Sequence, residues 1–87
     1  MKLENISAGE LIALLKRSSK AVYLAADDGV LFNLSSTLSL LYCIRMMLES
    51  AEDGTLSPEI KFESTEDEKL FRNYLRNRDA NRAKLHN

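Results

Sequence analysis

Apolar positions are densest between Leu38 and Leu48, where Leu-Ser-Leu-Leu-Tyr-Cys-Ile-Arg-Met-Met-Leu is interrupted only by Ser39 and Arg45. At 3.6 residues per turn these side chains point in nearly every direction around a helix. A helix without a polar face has to be covered on all sides, and a chain of 87 residues has little surface with which to cover it. The pattern therefore predicts a second subunit or a partner against this helix. Leu40, Ile44 and Met47, at i, i+4 and i+7, are the expected dimer stripe. Ser35-Ser36-Thr37 supplies the cap, so the helix is expected from Thr37 to Ser50, closing at Asp53-Gly54. Arg45 and Glu49 stand one turn apart and pair.

Upstream, Ile6-Ser7-Ala8-Gly9-Glu10-Leu11 reads as a helix start. Ser7 and Glu10 form a capping box, with Ile6 and Leu11 as its hydrophobic staple. Leu11, Leu14 and Leu15 make the apolar stripe beside Ile12, and Lys16-Arg17 end the helix before Ser18-Ser19-Lys20. Met1 to Asn5 is a candidate short strand. Ala21–Ala26 and Val30–Leu34 are two strand-like runs around Asp27-Asp28-Gly29, which predicts a hairpin with a type I′ turn.

Downstream, Thr55-Leu56-Ser57-Pro58 breaks the chain, and Glu59–Glu63 alternates polar and apolar as a short strand or extended linker. Thr65-Glu66-Asp67-Glu68 reads as a second capping box. Residues 55–68 carry five acids against one Lys, and residues 69–87 carry six bases against Asp79, the polarity a helix dipole favours. Leu70, Phe71, Tyr74 and Leu75 form only a thin apolar stripe, and after Arg76 the sequence offers almost nothing to bury. That end should fray or complete its helix against a partner. Phe71 and Tyr74 beside Arg72 and Arg76 have the composition of an interface hot spot.

Composition narrows the functions. Apolar content of 45% with 29% charged residues suits a folded domain. A net charge of −1 supplies no overall grip on nucleic acid or anionic membrane. A single cysteine, Cys43, forms no internal disulfide and reads as a small core side chain. The N-terminus has no secretion-type apolar segment, and the longest apolar run is well short of the ~20 residues that span a bilayer, so the expected setting is cytoplasmic. Asp27 and Asp28 read as a solvated turn, not as paired catalytic carboxylates, and His86 in a polar tail is inert. No phosphate loop, metal-ligand cluster or nucleophile–base pair is present, so no cofactor is expected.

The order of elements resembles the Phd/YefM family of antitoxins. The matching stretches are Ile6-Ser7-Ala8 leading to Leu11 and Leu15, then Val22-Tyr23-Leu24, Gly29-Val30-Leu31, and Ser35-Ser36 opening a helix, about the first fifty residues. The resemblance implies a short N-terminal strand, a helix, a hairpin, a second helix and a C-terminal segment that wraps a toxin. Two departures concern operator binding: the segment between helix and hairpin is short, and Ala25, Ala26, Asp27 and Asp28 stand where basic residues are often found.

The expected architecture is α+β, a single small domain with a hairpin packed on two helices and a charged C-terminal helix. Residues 1–54 would be core and dimerisation region; residues 55–87 would be linker and partner-binding helix, acting through Leu70, Phe71, Arg72, Tyr74, Leu75 and Arg76. The expected function is a non-enzymatic, homodimeric, antitoxin-like module with a protein partner. A DNA-binding repressor using Lys16, Arg17 and Lys20 with the C-terminal arginines is the alternative, and a small enzyme the third.

Overall fold

The first helix, α1 (Ala8–Arg17), starts where its local chemistry directs. Ser7 Oγ accepts from the Glu10 amide and Glu10 Oε1 accepts from the Ser7 amide, both at 3.0 Å, while Ile6 and Leu11 are fully buried at the staple positions. The computed structural model describes residues 1–51 and 53–85; His86 and Asn87 lie outside the described residues. After α1 come β1 (Val22–Ala25), β2 (Leu31–Asn33), α2 (Thr37–Ser50), β3 (Ile60–Phe62) and α3 (Thr65–Leu85). The molecule is α+β, with three helices and a three-stranded antiparallel sheet in the order β2-β1-β3.

The hairpin forms, but its turn is not type I′. Only Gly29 (φ 86°) takes a positive φ, whereas Asp27 and Asp28 do not. The Gly29 amide donates to the Ala26 carbonyl and the Ala26 amide to the Val30 carbonyl, which makes a three-residue loop closed by a left-handed glycine. The Asp28 carboxylate accepts from the Val30 amide at 3.1 Å, so it serves the turn.

The stretch expected as strand or linker becomes the third strand. Ile60 and Phe62 pair with Leu24 and Val22 of β1. Val22, Leu24 and Ile60 alternate onto the core face, with Tyr23 and Lys61 on the other. The N-terminal segment runs antiparallel beside residues 56–60 through bridges Lys2–Glu59 and Ile6–Leu56, short of a full strand. Leu3, Ile6, Leu11, Leu14, Val22, Leu24, Leu34, Cys43, Leu56, Ile60 and Phe71 form one core cluster. A boundary at residue 54 therefore does not divide the fold, because the core runs on to Phe71.

The root of α3 is tied in chemically as well. Thr65 is helical and Ser64 precedes it, its hydroxyl accepting from the Glu66 amide at 3.2 Å, while Glu68 pairs with Arg72 at 2.8 Å instead of turning back to a cap. Asp67, expected only to complement the dipole, is buried. Its Oδ1 accepts from the Ser19 amide at 2.9 Å and the Ser19 hydroxyl at 3.2 Å, and its Oδ2 from the Lys20 amide at 2.9 Å. One carboxylate thus satisfies the chain leaving α1 and fixes the start of α3 against it. Phe71, one turn on, packs edge-to-face on Phe62 with ring centroids 4.8 Å apart.

Two outcomes follow from this packing. Phe71→Ala should cost about 3–5 kcal/mol in urea unfolding. The Ser19 amide, foremost, holds the Asp67 carboxyl below its ordinary range against the opposing effect of desolvation. A depressed folded-state value means a stabilising contribution that is complete above the ordinary carboxylate pKa of about 3.9 and lost as pH falls through the lower folded-state value. Asp67→Asn should lower the urea midpoint at neutral pH and flatten the acid limb of the midpoint–pH curve.

Candidate functional site

Helix α2 has two apolar faces, and the sheet covers one. Cys43 and Ile44 are buried, and Leu40 and Met47 pack against the same cluster. The stripe Leu40–Ile44–Met47, expected at a dimer interface, is therefore the inner face of α2. On the opposite side stand Leu38, 82% exposed, Leu41 and Tyr42, each 56%, and Leu48, 40%. Their spacing of three, four, seven and ten residues keeps them on one side of the helix. The charges among them, Arg45 and Glu49, are joined at 3.1 Å. The sequence signals for the two faces were Cys43, read as a core side chain, with Met47 and Leu40 about 40° and 60° from it at roughly 100° per residue, and the charged Arg45 and Glu49, which lie on the opposite side. Phe32 of β2 lies against Tyr42 with ring centroids 5.9 Å apart, and exposed Leu31 stands on the same edge strand, with exposed Val30 just before it.

Helix α3 divides along its length. Phe71 is fully buried and Leu70, Tyr74 and Leu75 are half-buried against the core. Phe71 is thus unavailable as a partner anchor, because the sheet already occupies it. Arg72 is held by Glu68, and Arg76 is exposed. The chain beyond Arg76 remains helical to Leu85, and the residue responsible was missed in the sequence. Arg78 donates through Nη1 to the Asn5 carbonyl and through Nη2 to the Glu4 carbonyl, both at 3.1 Å. Asn5, at φ 53°, adopts the left-handed conformation that exposes those carbonyls to it.

Glu10 joins the two helices. Its Oε2 accepts from the Tyr74 hydroxyl and lies 3.8 Å from Arg78, while Oε1 completes the α1 cap. Burial pushes the Glu10 carboxyl up, but the bonds from Tyr74 and Ser7 and the charge of Arg78 outweigh it, leaving the group below its usual range. The bond to Glu10, followed by burial and the carboxylate charge, raises the Tyr74 phenol. The glutamate one would assign from sequence to a local cap alone is the anchor for residues 64 and 68 positions away.

The basic residues proposed from sequence separate. Arg17 stands across a groove from the outer half of α3, with Asn77, Arg78 and Arg82. Lys16 and Lys20 instead border a depression between α1 and α2 with Leu34 and Leu40. They do not converge on one cationic surface. Among the described residues no group of three His, Cys, Asp or Glu side chains is placed to hold a metal ion, and burial pushes the Cys43 thiol up, away from a reactive thiolate. No helix among the described residues is long and apolar enough to cross a membrane. The chain matches no family model, no curated protein and no solved structure.

Tyr74→Phe should cost about 1.5–3 kcal/mol in urea unfolding, because it deletes a hydrogen bond to a charged, partly buried carboxylate. The same change should move the Glu10 carboxyl back toward its usual range, read by NMR titration of the Glu10 side chain.

Proposed function

We propose that the chain is a non-enzymatic interaction module of antitoxin type, which self-associates through the outer face of α2 and presents the outer half of α3 to a protein partner. The observation that carries this reading is the apolar stripe Leu38–Leu41–Tyr42–Leu48, left exposed on a helix whose other face is already packed. Large exposed apolar side chains gathered on one side of a helix, here around the Arg45–Glu49 pair, mark an interaction site. A second copy is the occupant it suits. The charges on the stripe pair with one another within the helix, so an identical face brings no net charge against it. Burying each large side chain contributes about 1.5–3 kcal/mol.

The antitoxin type rests on the succession of capped helix, hairpin and second helix over residues 6–50, with β3 as an addition pairing back on β1. A cytoplasmic setting goes with it. A DNA-binding repressor has less support, since Lys16 and Lys20 border a different depression from Arg17 and the chain carries a net charge of −1. For an enzyme there is less support, since the Glu10–Tyr74 pair that borders a depression is already engaged in capping α1 and joining α3.

Sedimentation equilibrium tests the reading. The wild-type chain should be a dimer at micromolar concentration. Leu41→Glu with Tyr42→Glu should give a folded monomer with unchanged circular dichroism, while Ile44→Asp should unfold the domain by placing a charge in the core. A wild-type monomer throughout the micromolar range sinks the proposal.

A further inference from the structure

Between the end of α1 and the outer half of α3 runs an open groove of about 520 Å³. Its floor is apolar, from half-buried Leu70 and Tyr74. One wall is a row of exposed amides, Asn73, Asn77 and Asn81, at i, i+4 and i+8 on α3. Arg17 faces this row from α1, and Arg82 closes the far end. Neither arginine forms an ion pair among the described residues, whereas Arg78, deeper in the groove, is spent on Glu10 and the carbonyls of residues 4 and 5. The acids beside the groove's arginines are likewise engaged, Glu10 by Tyr74 and Asp79 by Arg78 at 3.2 Å.

We infer that this groove binds an extended acidic peptide segment of the partner protein. The inference rests on the reading of α3 as the partner-binding element and specifies the partner's chemistry. Three features converge on it. Side chains four apart on a helix recur every ~6 Å, close to the ~6.6 Å at which an extended chain repeats the same face. A carboxamide carries both a donor and an acceptor, so each asparagine satisfies one N–H and one C=O of a backbone running past it. Arg17 and Arg82 then supply two unpaired forks for carboxylates on that segment, with charge-assisted bonds at each end of the row. A nucleic acid would find the same two cations, but no run of exposed aromatics on which to stack bases.

The probe is a fluorescein-labelled peptide of about ten residues alternating glutamate and serine, followed by polarisation with the full chain. It should bind, and Arg17→Glu with Arg82→Glu should abolish binding. Asn73→Ala, Asn77→Ala and Asn81→Ala together should weaken it at least ~10-fold without altering its salt dependence, since the asparagines carry no charge. These asparagines are exposed and alanine favours helix, so the fold is retained, which circular dichroism verifies. The same peptide N-methylated at alternate residues should bind at least ~10-fold more weakly. Equal binding of the methylated peptide, or of an oligothymidylate of the same charge, overturns the inference, as does no peptide binding. The oligomeric state, measured in the same samples, separates the two proposals. A dimer that ignores the peptide refutes this inference alone, and a monomer refutes self-association through α2.

Discussion

The constraint on which the structure depends is that α2 carries large apolar side chains on two faces while the fold has one sheet face to offer it. Leu40, Cys43, Ile44 and Met47 consume that face. Everything packed around them is arranged about this single burial. The sheet turns Val22, Leu24 and Ile60 toward the core, α1 adds Leu11 and Leu14, and α3 adds Phe71. Among the described residues no further layer covers Leu38, Leu41, Tyr42 and Leu48. In a domain of this size the hydrophobic core is close to the minimum that sustains folding. An outward leucine stripe is therefore costly to retain unless it is covered in use.

Two carboxylates do the joining that a larger core would otherwise do. Asp67 accepts three hydrogen bonds from the exit of α1, and Glu10 caps the start of α1 while holding Tyr74 beside Arg78. Each end of the first helix is thereby pinned to α3 by an ionised group with its hydrogen bonds satisfied. Among the described residues no buried side-chain polar atom lacks a partner, so these polar contacts add definition without the penalty of an orphaned group. They also account for the continuation of α3 beyond Arg76, where the apolar stripe runs out and Arg78 takes over the anchoring.

Features set by neighbours in sequence were legible before the structure. The Ser7–Glu10 capping box and the hairpin around Asp28-Gly29 depend on chemistry within a few residues, and α2 spans Thr37 to Ser50 as expected, although Ser36 makes no side-chain cap bond. What was misplaced depends on long-range choices. Both stripes of α2 are largely apolar, and although Arg45 and Glu49 mark the outer one, it is packing on the sheet that turns Ile44 in and leaves Leu41 out. Phe71 beside arginines has the composition of an interface, yet Phe62 claims it for the core. Asp67 in a helix's first turn looks like dipole compensation, and its partners lie 47 and 48 residues away. The turn departs from type I′ for a similar reason: Asp-Gly suits a three-residue loop with one left-handed glycine as well as a two-residue loop with two positive φ angles.

The central claim is that the outer face of α2 is covered by a second copy of the chain. It is tested most directly by methyl NMR over a dilution series of the wild-type protein. With the series carried down through the dissociation midpoint located by sedimentation, Leu38, Leu41 and Leu48 methyl resonances should move together, while those of Leu11, Leu14 and Leu34, buried inside one domain, stay fixed. Leucine methyls on the outer face of α2 that stay fixed while sedimentation shows the dimer dissociating would contradict it.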